Sequence, residues 1–155
     1  MKIAGLQKLT LLDFPDNLAC IIFTQGCNLR CPFCHNAEIL DLKKDGEISE
    51  EEVFSYLIKR RKVLDGVVIT GGEPLLQPDL KVFIKQIKSL GLKVKLDTNG
   101  TSPMLLRELI RENLLDYIAM DIKSDWETYP KITGCARINI EKIKRRLQKH
   151  RTLGS

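Results

Sequence analysis

Apolar and polar positions follow two distinct patterns along this chain. Leu18-Ala19-Cys20-Ile21-Ile22-Phe23 is continuously apolar and ends at Thr24, as a strand buried on both faces would be. Behind it, Ser49-Glu50-Glu51-Glu52 has the spacing of a capping box, and Val53, Phe54, Leu57 and Ile58 fall on one helical stripe. The same strand-then-helix unit recurs. Val67 to Thr70 precedes a stripe of Leu80, Phe83, Ile84, Ile87 and Leu90, which Gly91 closes at its C-terminal end. Val94 and Leu96 mark a third strand, Ser102-Pro103 opens a helix carrying Leu106, Leu109 and Ile110, and Tyr117 to Ile122 reads as a fourth strand. Ile140, Ile143 and Leu147 stripe a last helix, and residues 1–16 add an edge strand or hairpin.

Strands alternating with helices demand a mostly parallel sheet, so the fold class is α/β. The 155 residues suit one domain, 1–155, with a disordered tail from about His150. Composition adds exclusions. Hydrophobic residues make up 43% of the chain, which is globular rather than disordered. The longest apolar run, residues 18–23, is far short of the roughly 18 residues a membrane span needs, so no membrane is expected. The start, Met1-Lys2-Ile3-Ala4-Gly5-Leu6, lacks a secretory h-region, which places the protein in the cytoplasm. Lys and Arg number 25 against 20 Asp and Glu, a net charge of +5 that permits acidic partners without calling for nucleic acid. The basic stretches 59–62 and 142–151 read as solvated helix faces, with docking of an acidic electron donor as the lesser alternative.

The cysteines carry the first chemistry. Of five, three crowd into Cys27-Asn28-Leu29-Arg30-Cys31-Pro32-Phe33-Cys34, on the loop leaving the first strand. At this chain's cysteine frequency such a match is expected about 0.005 times, so coincidence is a poor account. Soft thiolates this close select an iron-sulfur cluster or zinc. Three ligands rather than four suit a cluster with one iron open to substrate, whereas zinc would need completion by His35, Cys20 or Cys135. Cys20 lies within the apolar strand and reads as core, while Cys135 has no assigned role.

Three further motifs follow the next strands. In Thr70-Gly71-Gly72-Glu73-Pro74, adjacent glycines admit a ligand close to the backbone, and a carboxylate beside carbonyls suits an ammonium group. Asp97-Thr98-Asn99-Gly100 is either a site or simply a turn. In Met120-Asp121-Ile122-Lys123, a carboxylate in an apolar strand requires a cationic partner, and Lys123 lies on the same side. All four features fall at the C-terminal ends of successive strands, where parallel α/β folds assemble their sites.

At these residues the chain resembles the radical S-adenosylmethionine (SAM) superfamily, whose signature is this cysteine spacing with an aromatic, here Phe33, before the third cysteine. Asp13-Phe14-Pro15 and the run Gln25 to Asn36 are similar to the glycyl-radical-enzyme activases, most of all to the anaerobic ribonucleoside-triphosphate reductase activating proteins. The resemblance implies a partial (βα) barrel, here four units and so short of the six-unit family fold. It implies a 4Fe-4S cluster on Cys27, Cys31 and Cys34, with Gly72 and Glu73 at the SAM amino group. It also implies Asp97, Thr98, Asp121 and Lys123 around the methionyl and ribose groups, with the carboxylates open to a monovalent cation. The implied activity is reductive cleavage of SAM to form a glycyl radical on a partner, anaerobic ribonucleotide reductase, with electrons from a flavodoxin or ferredoxin. The alternatives are a radical SAM enzyme acting on another peptide or a small molecule, and an iron-sulfur or zinc protein without turnover.

Overall fold

A computed structural model describes residues 1–120 and 127–134. Its centre is an open five-stranded sheet in the order β1 (Ile3–Thr10), β2 (Ala19–Thr24), β3 (Gly66–Gly71), β4 (Lys93–Thr98), β5 (Tyr117–Met120). Strands β2 to β5 run parallel, and β1 lies antiparallel on the outer edge of β2, so residues 1–16 do supply an edge strand. Helices α1 (Glu50–Arg60), α2 (Leu80–Ser89) and α3 (Pro103–Arg111) follow β2, β3 and β4, and a single turn, α4 (Tyr129–Ile132), lies beyond β5. The α/β class and the partial barrel are therefore as expected.

Local chemistry sets the helix ends. The Ser49 hydroxyl accepts the Glu52 N–H at 3.1 Å at the start of α1, and Pro103 opens α3 at a position where its missing N–H costs nothing. Gly91 ends α2 in the left-handed region at φ 81°, with its N–H on Lys88 O.

Register divides the parallel strands between two faces. Cys20, Ile22, Val67, Ile69, Val94 and Leu96 share one buried layer with Val53 and Leu57 of α1, Phe83, Ile84 and Ile87 of α2, and Leu106 and Leu109 of α3. The other, concave face carries the rows Ala19–Gly66–Lys93 and Ile21–Val68–Lys95–Tyr117, and Phe14 from the β1–β2 turn packs over Ala19, Ile21 and Val68. This double coverage is why β2 and β3 read as unbroken apolar runs. On the helix layer, Lys81 of α2 is paired with Glu108 and Glu112 of α3, and Lys85 lies 3.0 Å from Glu112.

The exposed residues 59–62 lie where α1 leads into the start of β3, at the sheet edge opposite the strand ends that carry the motifs. No helix of the described residues is long and apolar enough to cross a membrane. Asp121, Lys123, Cys135, the helix expected around residues 140–147 and the tail from about 150 lie outside the described residues.

Candidate active site

Close backbone contact joins the ends of β2 and β3. The Gly72 N–H donates to Thr24 O and the Glu73 N–H to Gly26 O, both at 2.9 Å. A Cβ on Gly72 would stand 2.1 Å from Gly26 O, and one on Gly71, at φ 109°, would stand 2.4 Å from Thr24 N. Only glycine permits this approach. It brings the loop after β2 directly over the loop after β3.

The cysteine loop is held by its own backbone. The Gly26 N–H donates to Ile39 O at 2.7 Å and the Cys27 N–H to Leu40 O at 3.1 Å, closing the loop against a 3-10 turn at Ala37–Ile39. A tight turn places the Cys34 N–H on Cys31 O at 3.1 Å, and the Arg30 N–H reaches Thr133 O at 2.8 Å. Arg30 Nη1 also donates to the carbonyls of Cys27 and Leu29. Within this frame Cys27 and Cys31 are buried with Leu29, and Cys34 is half-buried beside them.

Burial pushes the Cys27 thiol up; the Leu29 N–H opposes this at 3.4 Å, while the neighbouring Glu73, Cys31 and Cys34 add to it. Such a group of mutually opposed acids is what a cationic inorganic centre relieves, since thiolates bind metal and their protons leave. Among the described residues no three His, Cys, Asp or Glu side chains form a site for a single metal ion. A four-iron cluster instead takes each thiolate on its own iron, so its ligands stand apart around a cavity. The donor set fits such a cluster. Cys20 does not join it, because the thiol is packed in the helix-side layer, pushed up to about 12 by burial.

Cys27, Cys31, Phe33, Cys34, Gly71, Gly72, Asp97 and Thr98 all line one cavity of about 310 Å³. That volume lies at the small end of the range for ligand pockets, roughly 300–1,000 Å³. Phe33 is 53% exposed at the rim, beside the exposed His35.

Glu73 takes another position. It is fully buried and is not part of the cavity lining; its carboxylate accepts the Leu75 N–H at 3.1 Å, the Thr98 hydroxyl at 2.6 Å and the Asn99 N–H at 2.7 Å. It braces the end of β3 against the end of β4. The Thr98 hydroxyl is thereby turned inward as well.

Several residues join the site that sequence reasoning missed. Asn99 Nδ2 donates to Asn28 Oδ1 at 3.0 Å and approaches Cys27 Sγ at 3.9 Å, while Asn28 Nδ2 donates to Thr101 Oγ1 at 2.9 Å. This amide network ties the cysteine loop to the turn that the Asn-Gly dipeptide announced. Asn36 Nδ2 reaches Gly71 O at 3.3 Å. Lys95 lies on the concave face with Nζ 2.7 Å from Asp97 Oδ1. Its position two residues before Asp97 on a strand was the available signal.

The sequence profile of the Radical SAM superfamily matches residues 21–155, a span that takes in the three cysteines and the whole cavity lining. The chain belongs to the radical SAM superfamily. Over 148 residues this radical SAM chain is 38% identical to a protein of Methanocaldococcus jannaschii named as a glycyl-radical enzyme activating enzyme, covering 95% of this chain and 60% of that protein. Over 139 residues it is 32% identical to the pyruvate formate-lyase-activating enzyme of Clostridium pasteurianum, covering 86% of this chain and 57% of that enzyme. The chain thus spans 60% or less of the length of these curated relatives. Among solved structures, the affinity-tagged protein anSMEcpe with bound AdoMet shares the fold at a TM-score of 0.55 and 23% identity, covering 80% of this chain and 37% of that one.

Proposed function

We propose that this chain is the radical SAM domain of a glycyl-radical-enzyme activating enzyme. The observation that carries the reading is the single cavity that gathers three thiols, a glycine pair without room for side chains, and the Asp97 carboxylate. The names of the two relatives support the activase reading within the superfamily. Cys27, Cys31 and Cys34 would hold a 4Fe-4S cluster, which when bound supplies the electron that cleaves SAM to methionine and a 5′-deoxyadenosyl radical.

The chain's own residues bind, orient and shield. Gly71 and Gly72 line the cavity with backbone while packing against the loop after β2, and Glu73 holds that edge in place from beneath rather than by contact. Asp97 presents a carboxylate to the cavity, and Phe33 covers its rim with apolar surface. In this reading Asp121 and Lys123 complete the SAM site from the strand that follows.

The partner is a glycyl radical enzyme, with anaerobic ribonucleoside-triphosphate reductase as first candidate and pyruvate formate-lyase, named in the second relative, as the other arm of the test. A flavodoxin or ferredoxin supplies the electron, and the thiol chemistry suits a reducing cytoplasm. The test reconstitutes the protein anaerobically with iron and sulfide, records the electron paramagnetic resonance spectrum of the reduced state with and without SAM, and then adds each partner. The expected result is a spectrum changed by SAM, followed by an organic doublet that collapses when the partner's glycine is deuterated at Cα. SAM cleavage without a radical on either partner would move the reading to another peptide or small-molecule substrate.

A further inference from the structure

Cys27 is held at its sulfur as well as along its backbone. Its Sγ faces two N–H donors: the Leu29 backbone N–H at 3.4 Å, from within the cysteine loop, and Asn99 Nδ2 at 3.9 Å, from just beyond β4 and 72 residues away in sequence. Cys27 and Asn99 are 7% and 6% exposed, so the contact lies largely out of water. The orientation of the Asn99 amide is fixed by its neighbours. Gly100, at φ 74°, turns the chain so that the Thr101 N–H meets Asn99 Oδ1 at 3.0 Å, and the Thr101 hydroxyl donates to the same oxygen at 2.7 Å. A backbone N–H can only donate, so the atom it meets is the oxygen and the NH2 group faces the other way. One hydrogen of that group serves Asn28 Oδ1 at 3.0 Å, and the other faces the sulfur. Asn28 Nδ2 closes the ring on Thr101 Oγ1 at 2.9 Å, and the Asn99 N–H on Glu73, at 2.7 Å, anchors the residue's backbone.

We infer that Asn99 tunes the reduction potential of the centre that the three cysteines hold, through its N–H on the Cys27 sulfur. A donor aimed at a ligand sulfur stabilises negative charge there, so it favours the reduced form of an iron-sulfur centre and raises its potential. Burial lets a single dipole count, because little water competes with it. The Leu29 N–H belongs to the backbone and is present whatever the side chains are; the Asn99 donor is the one that the choice of residue supplies. Asn99 is a positioning residue acting through Cys27, and Thr101 and Asn28 aim it. The inference rests on the cluster reading proposed above and is independent of SAM and of the partner.

The test is a redox titration of protein reconstituted anaerobically with iron and sulfide, without SAM, in which electron paramagnetic resonance reads the reduced fraction. Asn99→Ala should make one-electron reduction about tenfold less favourable, a potential lower by about 59 mV. Thr101→Val keeps the amide but removes the hydroxyl that helps to aim it, so it should shift reduction the same way by about two- to threefold. The sign separates a lost donor from a disturbed site, because water admitted beside the sulfur by a smaller side chain would raise the potential instead. An Asn99→Ala protein with full iron whose potential rises, or whose reduction changes by less than about twofold, overturns the inference. If Asn99→Ala takes up no iron, Thr101→Val decides, and a potential equal to the parent's overturns the inference. A parent that takes up no cluster overturns the cluster reading and this inference together, whereas a parent with full iron and variants of unchanged potential overturns the inference alone.

Discussion

Replacing Gly72 by alanine tests whether the cysteine loop and the glycine loop are locked by backbone contact. The added Cβ would lie 2.1 Å from Gly26 O and 2.6 Å from Gly26 C, both backbone atoms that no rotamer change can move. One loop must withdraw by about 1 Å to reach contact distance. The hydrogen bonds from Gly72 N to Thr24 O and from Glu73 N to Gly26 O cross this gap, and each contributes about 1 kcal/mol net. Overpacking adds about 1–3 kcal/mol, so Gly72→Ala should cost about 3–5 kcal/mol, a large part of a small domain's stability. Gly91→Ala is the control. Its Cβ would meet open space, so only the left-handed φ of 81° opposes it, at about 1–2 kcal/mol. Urea unfolding of the reconstituted variants measures both, and iron content reports whether the cysteine loop still holds its cluster. A Gly72→Ala protein as stable as the Gly91→Ala control, with full iron and a spectrum that still responds to SAM, would refute the interlock.

Glu73→Gln should lose about 1–3 kcal/mol in the same assay, because an amide N–H then faces one of the three donors on Leu75, Thr98 and Asn99. A loss below about 0.5 kcal/mol would show that the carboxylate is not the brace described. Serine at Cys27, Cys31 or Cys34 should abolish cluster iron, whereas Cys20→Ser retains it. With its thiol pushed up to about 12, Cys20 should also resist iodoacetamide near pH 8 in the folded state; rapid labelling there would contradict its burial. Hydrogen bonds from Lys81 and Lys85 hold the Glu112 carboxyl below its ordinary value near 4.5. Its stabilisation is thus full above the unfolded value and is lost as pH falls through the lower folded one. Thermal melts from pH 6 down to pH 3 should therefore fall less steeply for Glu112→Gln than for the parent, and equal slopes would remove this pair from the acid response.

The architecture was legible because β2 and β3 are covered on both faces, and double coverage leaves a signal that needs no partner to read: an unbroken apolar run. The cysteine loop was legible because close thiols are rarely accidental. Glu73 was harder, since it stands just beyond the end of β3, where period-two alternation no longer says which way a side chain turns. Its inward direction depends on donors from Thr98 and Asn99, which are 25 and 26 residues away in sequence. Asn99 was read as half of a turn dipeptide; its second role depends on where residues 27–28 come to rest, and the chain alone does not state that. Lys95 sits between Val94 and Leu96, as an outward-facing residue on a half-buried strand would. Its spacing from Asp97 is a weak signal that gains meaning once the second face of the sheet is known to be covered.

The end of β4 shows how one short motif can serve two purposes. Alternation turns Lys95 and Asp97 to the concave face and Leu96 and Thr98 to the helix side. Two carboxylates close in space then receive opposite environments. Glu73, on the helix side, is fully enclosed by N–H and O–H donors and holds structure. Asp97, on the concave side, is paired with the Lys95 ammonium and keeps an edge on the cavity. A one-residue slip of β4 would turn Asp97 away from the concave face, among Leu96's apolar neighbours. The brace from Glu73 to the Thr98 hydroxyl and the Asn99 N–H fixes the register at the point where such a slip would do most damage. The buried carboxylate therefore serves the cavity by deciding which carboxylate faces it.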